Sequence, residues 1–231
     1  MNDLSTSSSI IEEYLEFIGN KAFPCIGAKA ALGKERIRCL VVDHLACPKD
    51  DNAILEFIYD FVDDYRQSSD LYSSAVVIFK GPLAMDEERF EAMFWLRLQS
   101  ISNLDSQRFA YDQRVGRDPA SPTFSFSLKE EAFYIIGLHP GSSRLARQFT
   151  YPAIVFNPHT QFEKLREISK YEPMKQVVRS RDVKYSGSVN PMLADFGETS
   201  EVVQYSGRKY DENWRCPFIS QHGNKEHHTA T

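Results

Sequence analysis

Glu131-Ala132-Phe133-Tyr134-Ile135-Ile136-Gly137-Leu138 and Pro152-Ala153-Ile154-Val155-Phe156 are two apolar runs that each lead into a proline and a histidine. The first continues as His139-Pro140-Gly141-Ser142-Ser143-Arg144-Leu145-Ala146-Arg147, the second as Asn157-Pro158-His159-Thr160-Gln161-Phe162. Aromatic and β-branched runs of this length, bounded by Gly and Pro, read as strands buried on both faces. Polar residues gathered at strand ends are where a fold commonly keeps its chemistry. Each histidine stands beside a proline that restricts the local backbone. If the two strands are neighbours, both imidazoles are expected at one edge of the sheet, as metal or haem ligands or as structural hydrogen-bonding groups. Ser142, Ser143, Arg144 and Arg147 are expected at the start of a helix after His139. Exposed N–H groups, two hydroxyls and two guanidinium forks suit an anion there, and helix capping with surface arginines is the alternative.

Working outward, Ser5 to Ser9 reads as a polar lead-in to a first helix carrying Ile10, Ile11, Tyr14, Leu15, Phe17 and Ile18, stopped at Gly19-Asn20. Phe23-Pro24-Cys25 then precedes a run of small residues, which puts Cys25 at or near a helix N-terminus. Backbone N–H groups at such a place favour a thiolate, although an inert buried cysteine satisfies the same pattern. Residues 36–46 read as a strand with His44 as a core histidine, 52–66 as a helix, and 74–79 as a strand. Asp60, Asp63 and Asp64 form a solvated face of that helix. Asp86 is placed to cap a helix over about 86–102. Residues 103–122 form a loop, and Phe124 to Leu128 alternates with period two and can pair with the next strand through a Lys129-Glu130 turn. A helix follows His159 to about 170, and Glu172-Pro173 separates it from a second piece running towards Arg179-Ser180-Arg181-Asp182. The Gly/Asn/Pro-rich remainder is long and weakly regular, a property of functional segments. The expected fold is one α+β domain over 1–231, a mixed or mainly antiparallel sheet covered by helices, with flexible ends at about 1–8 and 222–231.

The totals exclude several classes. At 231 residues the chain can bury a sizeable core, and 16 Phe and 11 Tyr make that core aromatic. A net charge of −5 gives no basic field for nucleic acid or an anionic membrane. No apolar run reaches the ~20 residues of a membrane span, and the start lacks a signal-peptide pattern. Cys25, Cys39, Cys47 and Cys216 form no CxxC pair or zinc spacing, which suits free thiols in a cytoplasmic protein. Dinucleotide, P-loop, HExxH and nucleophile-elbow motifs are missing. His227-His228 lies in the tail and is expected to be solvated.

The blocks Phe23-Pro24-Cys25, Gly137-Leu138-His139-Pro140 with Ser142-Ser143-Arg144, Phe156-Asn157-Pro158-His159 with Gln161-Phe162, Arg179-Ser180-Arg181-Asp182, Asn190-Pro191-Met192-Leu193, Gln204-Tyr205-Ser206-Gly207 and Trp214-Arg215-Cys216-Pro217-Phe218 occur in order over 23–218. Together they resemble the YqcI/YcgG family. That family includes haem-dependent N-hydroxylases of guanidino and amino compounds, among them enzymes of guanitoxin and D-cycloserine biosynthesis. The resemblance implies haem b as cofactor, O2 as co-substrate, a guanidino or small amine substrate and an external electron donor.

By the same resemblance, Cys25 or His139 is the axial ligand. Phe23, Pro24, Ser142, Ser143, Arg144 and Arg147 lie around the cofactor, and His159, Asn157 and Gln161 form the reacting side. Cys25-Ile26-Gly27 is also similar to the ligand loop of cytochromes P450. A thiolate ligand favours O–O cleavage. A cationic substrate implies carboxylates, for which Asp182, Asp195, Glu198 and Glu201 are candidates, with Asn190 nearby and Arg181 or Arg166 for a substrate carboxylate. Solvated loop acids are the alternative for the four carboxylates. Two other functional readings stand beside this one: a haem sensor or carrier without turnover, and a mononuclear non-haem metal site built from His139, His159 and a carboxylate. No feature of the sequence sets an oligomeric state.

Overall fold

The computed structural model describes residues 2–68, 70–188, 190, 192 and 199–223. Asp195, Glu198 and His227-His228 lie outside the described residues. In chain order the elements are α1 (Asn2–Gly19), α2 (Ile26–Gly33), β1 (Ile37–His44), α3 (Asp51–Gln67), β2 (Ser74–Gly81), α4 (Glu87–Asp105), β3 (Phe126–Leu128), β4 (Glu131–Leu138), β5 (Ala153–Pro158), α5 (His159–Glu167) and α6 (Tyr171–Ser186). The strands form one five-stranded sheet in the order β1-β2-β5-β4-β3. β1 and β2 are parallel, and β2–β5, β5–β4 and β4–β3 are antiparallel. This is the mixed α+β sheet the sequence predicts.

Period-two alternation decides what each face buries. Ala75, Val77, Phe79, Phe133, Ile135, Ile154 and Phe156 join the side chains of α3 and α4 in a large aromatic core. Val76, Ile78, Leu138, Ala153 and Val155 meet Ile10, Tyr14 and Ile18 of α1 and Phe149 on the opposite face. α3 follows the 3.6-residue pattern, burying Ile54, Leu55, Ile58, Phe61, Val62 and Tyr65 while Asp60, Asp63 and Asp64 stay exposed. Asp86 caps α4 by accepting the Arg89 N–H at 2.8 Å. Lys129 and Glu130 both have positive φ and turn β3 into β4. α5 ends at Glu167, and Pro173 falls in the first turn of α6, where its missing N–H breaks no helical bond.

Four expectations change. The polar lead-in is already helical, because α1 begins at Asn2 and its serines lie on the first turns. His44 is exposed at the end of β1, its Nδ1 accepting the Ala46 N–H, because the strand ends where the chain leaves the sheet. Residues 139–147 form no α-helix. The chain turns through Pro140-Gly141 and makes only a short 3-10 turn at Leu145–Arg147, since Arg144 is extended (φ −99°, ψ 120°). The C-terminal end does not fray at residue 222, since His222 is buried against Asp105 at 2.8 Å.

Candidate functional site

A cavity of about 310 Å3 lies between the second sheet face and the helices α1, α2, α5 and α6. That size is at the lower end of ligand pockets, roughly 300–1,000 Å3. Its floor is the alternate set Tyr134, Ile136, Leu138 of β4 and Val155, Asn157 of β5, which register pairs side by side. Helix α2 brings Cys25, and the turn before it brings Phe23 and Pro24. The first turn of α5 brings His159 and Gln161, and α6 brings Lys175, Arg179 and Asp182.

Cys25 is the N-cap of α2. Its backbone is extended (φ −76°, ψ 105°) and its Sγ accepts the Ala28 N–H at 3.4 Å. Burial pushes the thiol up, against the Ala28 and Gly27 N–H groups and the Arg147 charge that pull it down. A cation at the sulfur is what would hold it as thiolate. His159 opens α5 and is 3% exposed, with Nδ1 3.5 Å from Glu163 Oε1. Burial lowers its pKa, so the imidazole is neutral despite the Glu163 charge. Asn157 bridges strands: its Oδ1 accepts the Ser74 hydroxyl (2.7 Å) and its Nδ2 donates to Tyr134 O (3.2 Å). Gln161 Oε1 accepts the Ser73 N–H at 3.2 Å.

The two histidines do not meet. β4 and β5 are neighbours but antiparallel, so Leu138 pairs with Ala153 at one end and Phe133 with Pro158 at the other. Those five register steps, and one residue more at each end, put His139 and His159 at opposite edges, about 23 Å apart along the strands at ~3.3 Å per residue. Parity separates them further. His139 continues the Phe133–Ile135 series and stacks on Phe90 at 4.1 Å, on the α4 side of the sheet. It is 1% exposed, its Nδ1 has no hydrogen-bond partner among the described residues, and burial lowers its pKa to about 4. A site built from both histidines and a carboxylate is therefore ruled out by the strand direction. Among the described residues no three of His, Cys, Asp and Glu are grouped to hold a metal ion.

The expected anion site after His139 is also taken apart. Ser143 N–H and Oγ both go to Glu87 of α4, at 2.8 and 2.7 Å, and the Ser142 hydroxyl accepts the Arg144 N–H. Arg147 lines the cavity, but its guanidinium donates to Gly137 O, Tyr205 O and Gln204 O at 3.0, 3.2 and 2.9 Å. Arg144 pairs with Asp182 at 2.5 Å. Arg181 donates to Lys21 O (2.6 Å) and Phe23 O (3.0 Å), clasping the turn that carries Cys25 instead of facing a ligand. Asn190, Glu201 and Arg166 line the cavity.

Tyr134 and Gln204 belong to the site without having been expected there. The Tyr134 hydroxyl donates to Gln204 Oε1 at 2.6 Å across the cavity wall. A tyrosine interrupting an apolar run is the visible signal for the first, whereas Gln204 shows only as part of the Gln204-Tyr205-Ser206-Gly207 block, with no role attached to it. For a haem, the donor set fits: a sulfur at a helix N-terminus, apolar walls from Ile18, Ile136, Leu138 and Val155, and Arg166, Lys175 and Arg179 as cations on the lining.

All four cysteines are free, and among the described residues no helix is long and apolar enough to cross a membrane. No solved structure matches the chain. It is 28% identical over 217 residues to a Bacillus subtilis (strain 168) protein described as uncharacterized protein YqcI, covering 88% of this chain and 84% of that one. The model of the YqcI/YcgG family matches residues 14–219. That match takes in the whole sheet and every residue that lines the cavity, and the chain belongs to the YqcI/YcgG family.

Proposed function

We propose that the chain is a haem-dependent oxygenase that hydroxylates a nitrogen of a guanidino or small amine substrate, in which the Cys25 sulfur would hold the haem. The observation that carries this reading is the placement of the Cys25 sulfur, capped by an α2 N–H, on the wall of a largely apolar cavity. Bound haem supplies O2 activation, and a thiolate ligand favours O–O cleavage. The balance is R–NH2 + O2 + 2 electrons + 2 protons giving R–NHOH and water. The chain has no flavin or dinucleotide motif, so the electrons come from a separate reductase or a small-molecule reductant. A reducing cytoplasm keeps the four thiols free.

The chain's own part is to hold and shield. The N-terminus of α2 steadies negative charge on the sulfur, and the Arg181 clasp fixes the turn before it. Tyr134, Gln204 and the neutral His159 offer hydrogen bonds to a polar substrate end, while Ile136, Leu138 and Val155 exclude water. Arg166 and Lys175, both near the Tyr171 ring, line the wall where carboxylates of cofactor or substrate would be received.

Purified protein mixed with haemin tests the reading. The wild-type chain is expected to develop a Soret band that shifts or disappears in Cys25→Ala and is unchanged in His139→Ala. With reductant and O2 it is expected to convert an arginine-like substrate or a simple amine to its N-hydroxy product. A wild-type protein that ignores haemin overturns the proposal, and haem uptake without product marks a carrier instead.

A further inference from the structure

Glu201 differs from the other cavity acids. Asp182 is neutralised by Arg144, whereas Glu201, 7% exposed, has no ion pair among the described residues. Its Oε1 accepts both the Ser125 hydroxyl, at 2.7 Å, and the Tyr205 hydroxyl. Its Oε2 accepts none among the described residues and is the acceptor left for a cavity ligand. A carboxylate enclosed in this way is unfavourable unless a cation meets it.

We propose that Glu201 anchors the cationic nitrogen of the ligand, a guanidinium or amidinium, on Oε2, with Oε1 held still by Ser125 and Tyr205. The inference rests on reading the cavity as the substrate site and names the group that orients the substrate in it. Unliganded, burial pushes Glu201 up to about 7, opposed by the two hydroxyls and by the Arg166 charge. Among the described residues, the titratable groups facing it are Tyr111 from the loop after α4, Tyr134 of β4, Tyr205, and Arg166 of α5. A cation on Oε2 lowers the pKa, so binding releases a proton to solvent. About half a proton per ligand is expected at pH 7, nearly one at pH 6 and almost none at pH 8.5.

The test is calorimetric titration of agmatine, L-arginine and citrulline, in which a neutral urea replaces the guanidinium of arginine, into haem-free and haem-loaded protein. Two buffers of different ionisation heat at each pH give the proton count. Both cations are expected to bind with that release, and citrulline to bind roughly 30-fold more weakly or worse. Glu201→Gln keeps an acceptor for Ser125 and Tyr205, so it is expected to fold, lose a similar factor in affinity for the cations and release no proton. No binding of either cation, equal binding of citrulline, absent proton release or an unaffected Glu201→Gln variant each overturns the inference. Should that variant fail to fold, the proton count on the wild-type chain decides alone. A protein that refuses haem yet binds cations with proton release sinks the oxygenase reading and leaves this one standing. Haem-loaded protein that makes product but shows no release sinks this one only.

Discussion

Arg147 carries a guanidinium into the interior, where it meets three backbone carbonyls and, among the described residues, pairs with no acid. Burial lowers its pKa without taking its charge. The group ties the end of β4 to residues 204–205, alongside the Gly137 N–H that donates to Tyr205 O at 2.7 Å. Arg147→Lys cannot reproduce a planar fork aimed at three oxygens and is expected to destabilise by about 3 kcal/mol, read as a lower urea midpoint at unchanged slope. Two other buried side chains tilt stability against pH in opposite senses. Glu201, at about 7 folded against an ordinary 4.5, holds a proton that the unfolded chain releases. Its contribution is present at low pH and is lost as pH rises towards 7, by about 3 kcal/mol in all. His139, at about 4 folded against 6.5, stays neutral while the unfolded chain takes up a proton. Its contribution is lost as pH falls below 6.5. Between pH 5 and 7, Glu201→Gln is therefore expected to grow more stable with rising pH, and His139→Phe less stable; equal tilts in thermal scans would contradict both assignments. The sequence displayed Arg147 and His139 as polar residues at a strand end. Their partners lie across the fold, so it could not show that one holds up backbone and the other stacks on Phe90.

At the scale of elements, legibility follows locality. Helix α3 declares itself by its 3.6-residue pattern, α4 by its Asp86 cap, and the α5–α6 break by Pro173. The hairpin of β3 and β4 was readable because its alternation and turn are contiguous. The direction of β5 against β4 was not, because 14 residues separate them and nothing local states whether a connection crosses over or returns. That one unknown decided whether two histidines shared a site. The clasp between α6 and the turn before α2 belongs to this scale too, because Arg181 reaches back 158 and 160 residues to Phe23 O and Lys21 O. Arg181→Ala leaves both carbonyls near the surface, where water can replace the guanidinium. A modest loss of about 1 kcal/mol in stability is expected. Amide exchange over residues 21–28 should speed up markedly while α3 and α4 stay protected, and haem affinity should fall with it. Unchanged exchange there would show that the turn holds itself.

Across the whole molecule the sheet divides labour between its faces. The α3–α4 face is packed solid with aromatics, and the other face keeps the cavity. The weakly regular C-terminal segment serves both. Its 3-10 turn Glu201–Gln204 supplies cavity residues, and residues 205–222 return over α4 as a strap. Trp214 Nε1 donates to Glu91, Gln99 and the Ile219 backbone exchange two hydrogen bonds at 2.8 Å, and Phe218 is buried in the core. The strap ends on Asp105, which is fully enclosed. That carboxylate accepts the Tyr59 hydroxyl of α3 at 2.7 Å, the Lys129 N–H of the hairpin turn at 3.0 Å, and meets His222 Nε2 at 2.8 Å. Three distant parts of the chain thus converge on one side chain of α4, and none of their contacting residues borders the cavity. Asp105→Asn keeps the volume but presents an amide N–H where an acceptor is needed, with an expected loss of about 3 kcal/mol. His222→Ala should cost less, and the double variant less than the sum, because the two share the interaction. If the faces are energetically separate, ligand or haem affinity in the Asp105→Asn variant should match the wild-type chain well below its unfolding temperature. A parallel drop in affinity and stability would instead mean that the strap transmits strain through Glu201 to the cavity, and the division between the faces would have to be abandoned.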